Sequence, residues 1–506
     1  MRRSAVASIV VAICLIGACR FLLPERYAVN APLGHMLFGK GGDTPSQTTV
    51  RRKLHVPTGL SIGVFAGGVP NARMLRFTPA GDLLVSNPRN GSILLLEPDR
   101  DGDGLSDGKR TVIEGLQRPH GLDFQGDWLY VAETDGVGRV PFDAKTGRAT
   151  GPYERVVEGL PSGGNHWSRT LRFGPDGLMY VSVGSSCNVC EEEDPLRATM
   201  LRFQPDGSGR EIFARGLRNS VGFDWQPGTG NLYATDNGRD MLGDDFPPCE
   251  LNHVVAGGFY GWPYANGNRV PDPDLGAGHE SEIAGTTPPA YGFGAHNAPL
   301  GIAFVQGGAL GADLDGAAIV ALHGSWNRTR KDGYKVVSLH WGADGSVTER
   351  DFVTGFLEDD AVIGRPVDVV QGPDGALYVS DDFAGAVYRV WREGAGTETA
   401  KAATEAGAAA GAATGGDVFA ALAPAERDAR AARGRALYAE LACATCHDAA
   451  SAQRGMVTVK LAGLSSRYTP ASLAEFLASP TPPMPAVERD VEARRDLAVH
   501  LLGAHP

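Results

Sequence analysis

GGNHWSRTLRFGPDGLMYVSVG, residues 163–184, is the stretch whose reading decides the fold. Leu171-Arg172-Phe173 is a short strand-like run, Gly174-Pro175-Asp176-Gly177 is a turn, and residues 178–183 form a second apolar run. Proline presets the backbone for a turn and Asp-Gly completes it, so the stretch predicts a hairpin. Just upstream, Asn165-His166 is a polar pair at the point where a loop would enter the first strand.

The pattern recurs. MLRFTPAGDLLVSN (74–87), GLDFQGDWLYVAET (121–134), TLRFGPDGLMYVSV (170–183), VGFDWQPGTGNLYATD (221–236), GIAFVQGGALGADLDGAAIVALH (301–323) and VDVVQGPDGALYVSDD (367–382) share the order strand, turn, strand. Most run on into a third strand. Repeated small antiparallel sheets read as blades around an axis. A β-sandwich is the other all-β architecture, but it leaves six copies of one internal pattern unexplained. The expected fold is an all-β six-bladed β-propeller over residues 54–392.

The copies align on Phe77, Phe124, Phe173, Trp225, Phe304 and Val370. Four to eight positions upstream, the entry loops carry Asn71 and Arg73; Arg118 and His120; Asn165, His166 and Arg169; Arg218 and Asn219; His296 and Asn297; and Arg365. Any one of these residues also reads as an ordinary loop cap. Equivalent positions in a propeller share one face near the axis, so the six loops should aim into one pocket. Several arginines there call for an anionic ligand, because guanidinium pairs carboxylates bidentately.

The chain has 506 residues, too many for one ordinary core, and a net charge of −12 that argues against nucleic acid as the main partner. Arg2-Arg3 followed by an apolar run too short to span a bilayer predicts an export signal over residues 1–19. Leu15-Ile16-Gly17-Ala18-Cys19 has the form of a bacterial lipobox, with Cys19 lipidated; simple cleavage near Ala18 and an uncleaved anchor through Leu23 are the alternatives. The expected location is the periplasm or cell envelope, with membrane contact only through such an anchor. Residues 20–53 read as a tether. Cys187, Cys190 and Cys249 remain after the signal and the C-terminal motif are set aside, and two of them are expected to pair in an oxidising compartment. Spacing does not say which two, and metal binding by Cys187 and Cys190 is the weaker alternative.

Residues 393–424 are rich in Ala and Gly and read as a linker. Residues 425–506 show helical spacing, which predicts a small all-α domain. Cys443-Ala-Thr-Cys446-His447 is the c-type haem attachment motif: two thiols for thioethers and a histidine for iron. Met484, in the stiff sequence Pro-Pro-Met-Pro, is the favoured second axial ligand over Met456, His500 and His505; a methionine that only packs in the core is the alternative for both methionines, more so for Met456.

GGNHWSRTLRFGPDG, VGSSCNVCEEEDPLRATMLRFQPDG, ARGLRNSVGFDW, ATDNGRD, CELNHVVAGGFYGWP and HGSWNR together resemble the soluble pyrroloquinoline quinone (PQQ)-dependent sugar dehydrogenases, in their sorbosone dehydrogenase-like branch. The C-terminal CATCH segment resembles class I cytochromes c. The first resemblance implies PQQ on the propeller axis above a calcium ion, with His166 as general base. It implies PQQ contacts from Arg218, Asn219 and Arg365, with Arg328 as a further cation; Arg73 enters by its repeat position. Calcium ligation would fall on the backbone carbonyls of Gly238 and Arg239, and Asp240, Asp244 and Asp245 either contribute or simply solvate the loop. Three positions depart from the better-known glucose-oxidising members: Ser185 stands where an Asp orients the base, Val367 where a second Arg follows Arg365, and Gly238-Arg239 where a Gly-Pro lies.

A separate acidic loop, residues 99–110, has calcium-loop spacing but ends on Arg110 where an EF-hand has Glu. It reads equally as a structural calcium site or a solvated turn. The leading expectation is an exported quinohaemoprotein dehydrogenase that oxidises an aldose, sugar aldehyde or related hydroxyl substrate and passes electrons through one covalent haem c to a downstream acceptor. The competing readings are a non-enzymatic binding propeller carrying a cytochrome, and a PQQ enzyme for non-sugar alcohols.

Overall fold

The computed structural model describes residues 24–32, 41–393, 419, 422–447, 461, 464, 468–478, 484, 487 and 489–505. The predicted export signal, Met456 and most of the linker lie outside the described residues. The chain divides into two compact units, Met1–Ala395 and Gly396–Pro506. No described helix is long and apolar enough to cross a membrane.

The first unit is a six-bladed propeller built on four-stranded antiparallel sheets; blade 2 adds Arg148–Ala149 and blade 3 adds Gly258–Phe259, the latter paired in parallel. The inner strands of blades 1 to 6 are Leu75–Phe77, Leu122–Gln125, Leu171–Phe173, Phe223–Trp225, Pro299–Phe304 and Pro366–Gln371. Each includes the residue on which the sequence copies align. The second strands, such as Met179–Val183 and Leu377–Asp381, are buried along their whole length. They lie between neighbouring blades, which is why they read as continuous apolar runs rather than strict alternation.

Ring closure was not visible in the repeats. The strand Leu60–Ala66 precedes the first copy, yet it pairs antiparallel with Ala386–Arg392 of the last blade, Leu60 opposite Arg392 and Val64 opposite Tyr388. Blade 6 therefore takes its outer strand from the opposite end of the domain. The expected tether is also partly structural. Helix Gln47–Lys53 buries Val50, and the Gln47 side-chain amide donates to the Val64 carbonyl at 2.7 Å. Further upstream, the Asn30 amide donates to the Thr329 carbonyl.

Charged side chains stitch the inner strands together. Asp123 of blade 2 accepts from the Phe173 amide of blade 3 at 2.7 Å and pairs with Arg76 of blade 1 at 2.6 Å. Asp224 of blade 4 accepts from the Phe304 amide of blade 5 and pairs with Arg172 of blade 3. Asp368 of blade 6 accepts from the Leu75 amide of blade 1 at 2.8 Å. Short inner strands leave amides without ladder partners, and carboxylates from the adjacent blade satisfy them.

Between the third and fourth strands of blade 4 runs an excursion, residues 255–290. It contains the strand Gly258–Phe259, which joins blade 3, a hairpin at Ala265–Asn266 and Val270–Pro271, and the short helix Glu280–Ala284.

The second unit contains helices Pro424–Glu440, Ala444–His447, Pro470–Ala478 and Val491–Ala504. The first and last cross closely at Gly434, where a Cβ would collide with the Asp496 carbonyl. The Asp496 carboxylate accepts from Arg430 at 3.0 Å and Arg433 at 2.5 Å, fixing the same crossing. Leu473, Leu477, Leu497 and Leu501 form the core, and Met484 packs half-buried against it.

Candidate functional site

All six blade-entry loops reach one cavity of about 630 Å³. Asn71, Arg73, Arg118, Asn165, His166, Arg218, Asn219, His296 and Arg365 line it, as the repeat alignment predicts. His120, Arg169 and Asn297 do not; they lie buried behind the wall. The left-handed backbone at Asn71, Arg118 and His296 (φ 56°, 51° and 63°) marks sharp turns in three of these loops.

His166 is half-buried, and its Nδ1 lies 2.9 Å from both the carbonyl and the Oγ of Ser185. The Ser185 hydroxyl donates to the Cys187 carbonyl at 2.8 Å, so its oxygen is left to accept. Both neighbours of Nδ1 are thus acceptors. The proton sits on Nδ1, and Nε2 carries the lone pair. Burial, with the Arg218 guanidinium second, pushes the His166 pKa down to about 3. Gly184 leaves room for the ring: a Cβ there would lie 2.6 Å from the His166 Cβ and 2.9 Å from the Asn219 Oδ1.

This depression has a measurable consequence. The ring is unprotonated, and able to accept a proton, at all pH values above about 3. If His166 is the essential base, the acid limb of the pH profile of kcat/KM falls well below the usual histidine range near 6.5. A steady-state profile from pH 3.5 to 8 checks this; a limb centred near 6.5 contradicts it.

Arg218 is fully enclosed and committed to the protein. Its Nε donates to the Asn188 carbonyl (2.9 Å), Nη1 to the carbonyls of Asn237 (3.1 Å) and Gly238 (2.9 Å), and Nη2 to Asn188 Oδ1 (2.8 Å) and Asp240 (3.3 Å). The neighbouring Asn219 side chain has no protein hydrogen bond among the described residues, although it lines the cavity. Asp236 anchors both residues from below, accepting the amides of Arg218 and Asn219.

On the opposite wall, Arg73 pairs with Asp382 at 3.0 Å, and His323 donates Nε2–H to the other Asp382 oxygen at 3.0 Å. His323 Nδ1 accepts from Arg365 Nη2 at 3.0 Å. Burial, then Arg365, pushes the His323 pKa down to about 3, which keeps the ring neutral as this geometry requires. Burial works against the Asp382 charge, yet His323 and Arg73 hold its carboxyl well below the usual range. Cys249 also lines the cavity; burial pushes its thiol up to about 11, so it is no nucleophile at neutral pH.

Arg328 does not line the cavity. It donates to the carbonyls of Asp244 and Ala295 and pairs with Asp245. The Arg239 side chain also turns away, onto both oxygens of Asp272 at 2.7 Å and onto Asp274 at 2.8 Å, within the blade 4 excursion. Cys187 and Cys190 form a disulfide, which removes the metal alternative for that pair, and Cys249 stays a thiol. In the acidic loop, Asp99, Asp101 and Asp107 bring carboxylate oxygens within 4.8 Å of one another. Arg118 stacks on Trp167 with 4.0 Å to the ring centroid; Trp167 was not singled out in the sequence, although it directly follows His166.

The donor set suits a polycarboxylate beside a hard cation. Five arginines line the cavity (Arg73, Arg89, Arg118, Arg218 and Arg365) against two aspartates, Asp240 and Asp382. The formal excess of three positive charges on these side chains favours an anionic ligand. Arg73 Nε and Asn237 Oδ1 are buried without a hydrogen-bond partner. Asn237 Oδ1, the Gly238 carbonyl and the Asp240 carboxylate offer oxygen donors of the kind calcium takes.

The TrAA12-like family model matches residues 54–246 and 279–393, leaving out much of the blade 4 excursion. An uncharacterized protein of Borreliella burgdorferi is 31% identical over 300 residues, covering 56% of this chain and 78% of that one. A PQQ-dependent pyranose dehydrogenase of Coprinopsis cinerea is 24% identical over 415 residues, covering 69% of this chain but only 56% of its own length. A PQQ-dependent sugar dehydrogenase of Hypocrea jecorina is 26% identical over 385 residues, covering 63% of this chain and 85% of that one. The solved PQQ domain of the Coprinopsis pyranose dehydrogenase, in its holo form, superposes with a TM-score of 0.59 at 24% identity, over 70% of this chain and 99% of that domain. The likeness extends to the six-bladed fold.

Proposed function

The chain belongs to the TrAA12-like family, and from that premise we propose that it is a PQQ-dependent dehydrogenase of sugars or related hydroxyl compounds, exported and wired to a C-terminal haem c. The observation that carries the reading is the convergence of six loops on one cavity that combines an arginine excess with a neutral histidine of fixed tautomer. The pyranose and sugar dehydrogenases among its relatives support the substrate class.

When bound, PQQ supplies the carbon that accepts a hydride from substrate, and calcium a Lewis acid beside it. The chain's own residues do the rest. Ser185 holds the Nδ1–H of His166, so Nε2 presents its lone pair to the cavity and takes the proton of the substrate hydroxyl as its C–H bond breaks. Asp240 favours the resulting imidazolium, while burial and Arg218 disfavour it and return the proton readily. Arg73 and Arg365, braced by Asp382 and His323, would meet carboxylates of the cofactor from the far wall, and the Asn219 amide would offer a neutral contact. Asn237, Gly238 and Asp240 would hold the cation, with the Arg239 carbonyl beside them.

In the second unit, Cys443 and Cys446 would carry the thioethers, with His447 and Met484 as axial ligands. What supports this reading is the Cys443-Ala-Thr-Cys446-His447 motif set within a group of helices. The test is reconstitution of the full chain with PQQ and calcium, then dye-linked turnover across a panel of aldoses, sugar aldehydes and simple alcohols. Turnover with sugars supports the reading. Failure to bind PQQ, or turnover confined to simple alcohols, overturns its cofactor or substrate part respectively.

A further inference from the structure

The segment 185–190 has no strand or helix of its own, yet both halves of the site lean on it. Asn188 lies inside the four-residue loop closed by Cys187 and Cys190. Its carbonyl accepts from Arg218 Nε at 2.9 Å and from Trp262 Nε1 at 3.3 Å. Its side-chain oxygen accepts from Arg218 Nη2 and from the Asp240 amide, both at 2.8 Å, and its Nδ2 donates to the Asp240 carbonyl at 3.0 Å. One asparagine thus satisfies three donors on Arg218 and Asp240 and grips the Asp240 backbone from both sides. One residue earlier, the Cys187 carbonyl accepts from the Ser185 hydroxyl, whose oxygen and carbonyl hold His166.

We propose that the Cys187–Cys190 disulfide is the positioning clamp of the site. It holds Asn188 against Arg218 and Asp240 on one side and the Cys187 carbonyl against Ser185, and through it His166, on the other. Ordering a backbone segment costs conformational entropy, and a loop with no ladder of its own has only scattered bonds to offset it: those just named, the Ser185 amide on the Arg218 carbonyl, the Ser186 carbonyl accepting from the Asn165 amide, and Ser186 on Glu192. The crosslink lowers the cost by restricting the open loop. Asn188 is then a positioning residue rather than a catalytic one: it acts through Arg218 and Asp240. The missing aspartate beside His166 is replaced in effect by Ser185, held by the clamp.

The proposal rests on the reading of the cavity as a PQQ and calcium site, and its test separates the two. The full chain is compared with C187S/C190S and with Asn188→Ala, which keeps the disulfide. One readout is PQQ and calcium affinity by equilibrium titration. The other, on the unloaded protein, is the rate at which diethyl pyrocarbonate modifies His166, mapped by peptide mass spectrometry with exposed His55 as internal reference. Wild-type protein is also reduced with a dithiol, which gives two electrons and two protons to the disulfide and closes to its own cyclic disulfide, and is then reoxidised after the dithiol is removed.

The expected result is a loss of about tenfold or more in PQQ and calcium affinity in both variants, the size seen when outer-shell partners of a metal site are removed. His166 modification speeds up severalfold in C187S/C190S and in the reduced protein, returns to the original rate on reoxidation, and leaves His55 unchanged. Melting temperatures stay close to wild type. Unchanged affinities with unchanged His166 reactivity overturn the clamp, as does a fall in melting temperature that fully tracks the other losses. If wild-type protein binds neither PQQ nor calcium while His166 still responds to reduction, the cofactor reading fails and the clamp stands.

Discussion

Replacing His166 with Gln lowers kcat by about 10²- to 10⁴-fold, the contribution typical of a positioned general base, while PQQ and calcium still bind. The expectation follows from how the ring is held rather than from its presence alone. Nδ1 faces two acceptors on Ser185, so Nε2 is the only basic nitrogen and it belongs to a cavity-lining residue. Glutamine has similar reach but no nitrogen lone pair to take a proton. Because Arg218 and Asn219 are anchored from Asp236 and Asn188 rather than from His166, the variant should keep the cofactor wall intact. Dye-linked turnover beside a PQQ titration reads both effects. Full turnover in the variant removes His166 from the chemistry; lost PQQ binding makes it a cofactor residue instead.

Asp123→Ala destabilises the propeller by about 2–3 kcal/mol, the cost of leaving a buried amide without its charged acceptor and a part-buried guanidinium without its partner. The Asp123 side chain is 1% exposed, pairs with Arg76 at 2.6 Å and accepts the Phe173 amide. Its loss leaves Arg76 as an unpaired charge between blades and orphans a backbone donor in the next blade. The double variant Arg76→Met/Asp123→Ala should recover the part of the loss that comes from the unpaired guanidinium and keep the part that comes from the Phe173 amide, which still lacks its acceptor. Denaturant titration with an unchanged m-value is the check. Equal stability of wild type and Asp123→Ala, or a double variant worse than the single, contradicts the account of how the inner ring is joined.

The fold and the meeting of six loops were legible because each blade repeats a strand-turn-strand code over a dozen or so residues, and repetition turns weak local signals into one geometric prediction. What stayed illegible depends on partners far away in sequence. Leu60–Ala66 looks like a strand without a blade until its pairing with Ala386–Arg392 is known. Arg218 reads as a free cation, yet Asn188, thirty residues upstream, and the backbone beyond it take up its donors. Arg328 is expected as a cavity cation only through the resemblance of its HGSWNR motif, but Asp245 and two carbonyls draw it aside. Arg239 stands where relatives with Gly-Pro have no charge. Its partner Asp272 lies in a stretch that the family model does not match, far along the chain, so the sequence around Arg239 alone does not show where its charge is met. The spacing of Cys187, Cys190 and Cys249 did not say which two pair; only the fold brings Cys187 and Cys190 into a disulfide and leaves Cys249 a buried thiol.

The most direct test of the central claim is an anaerobic single turnover of the reconstituted full chain with a sugar it oxidises, compared with the same sugar deuterated at the oxidised carbon. The prediction is a change in the PQQ absorbance slowed by deuterium and followed by reduction of the haem band. PQQ that binds but responds to no sugar, or a PQQ change with no isotope effect even when substrate binding is fast, would contradict hydride removal in this cavity.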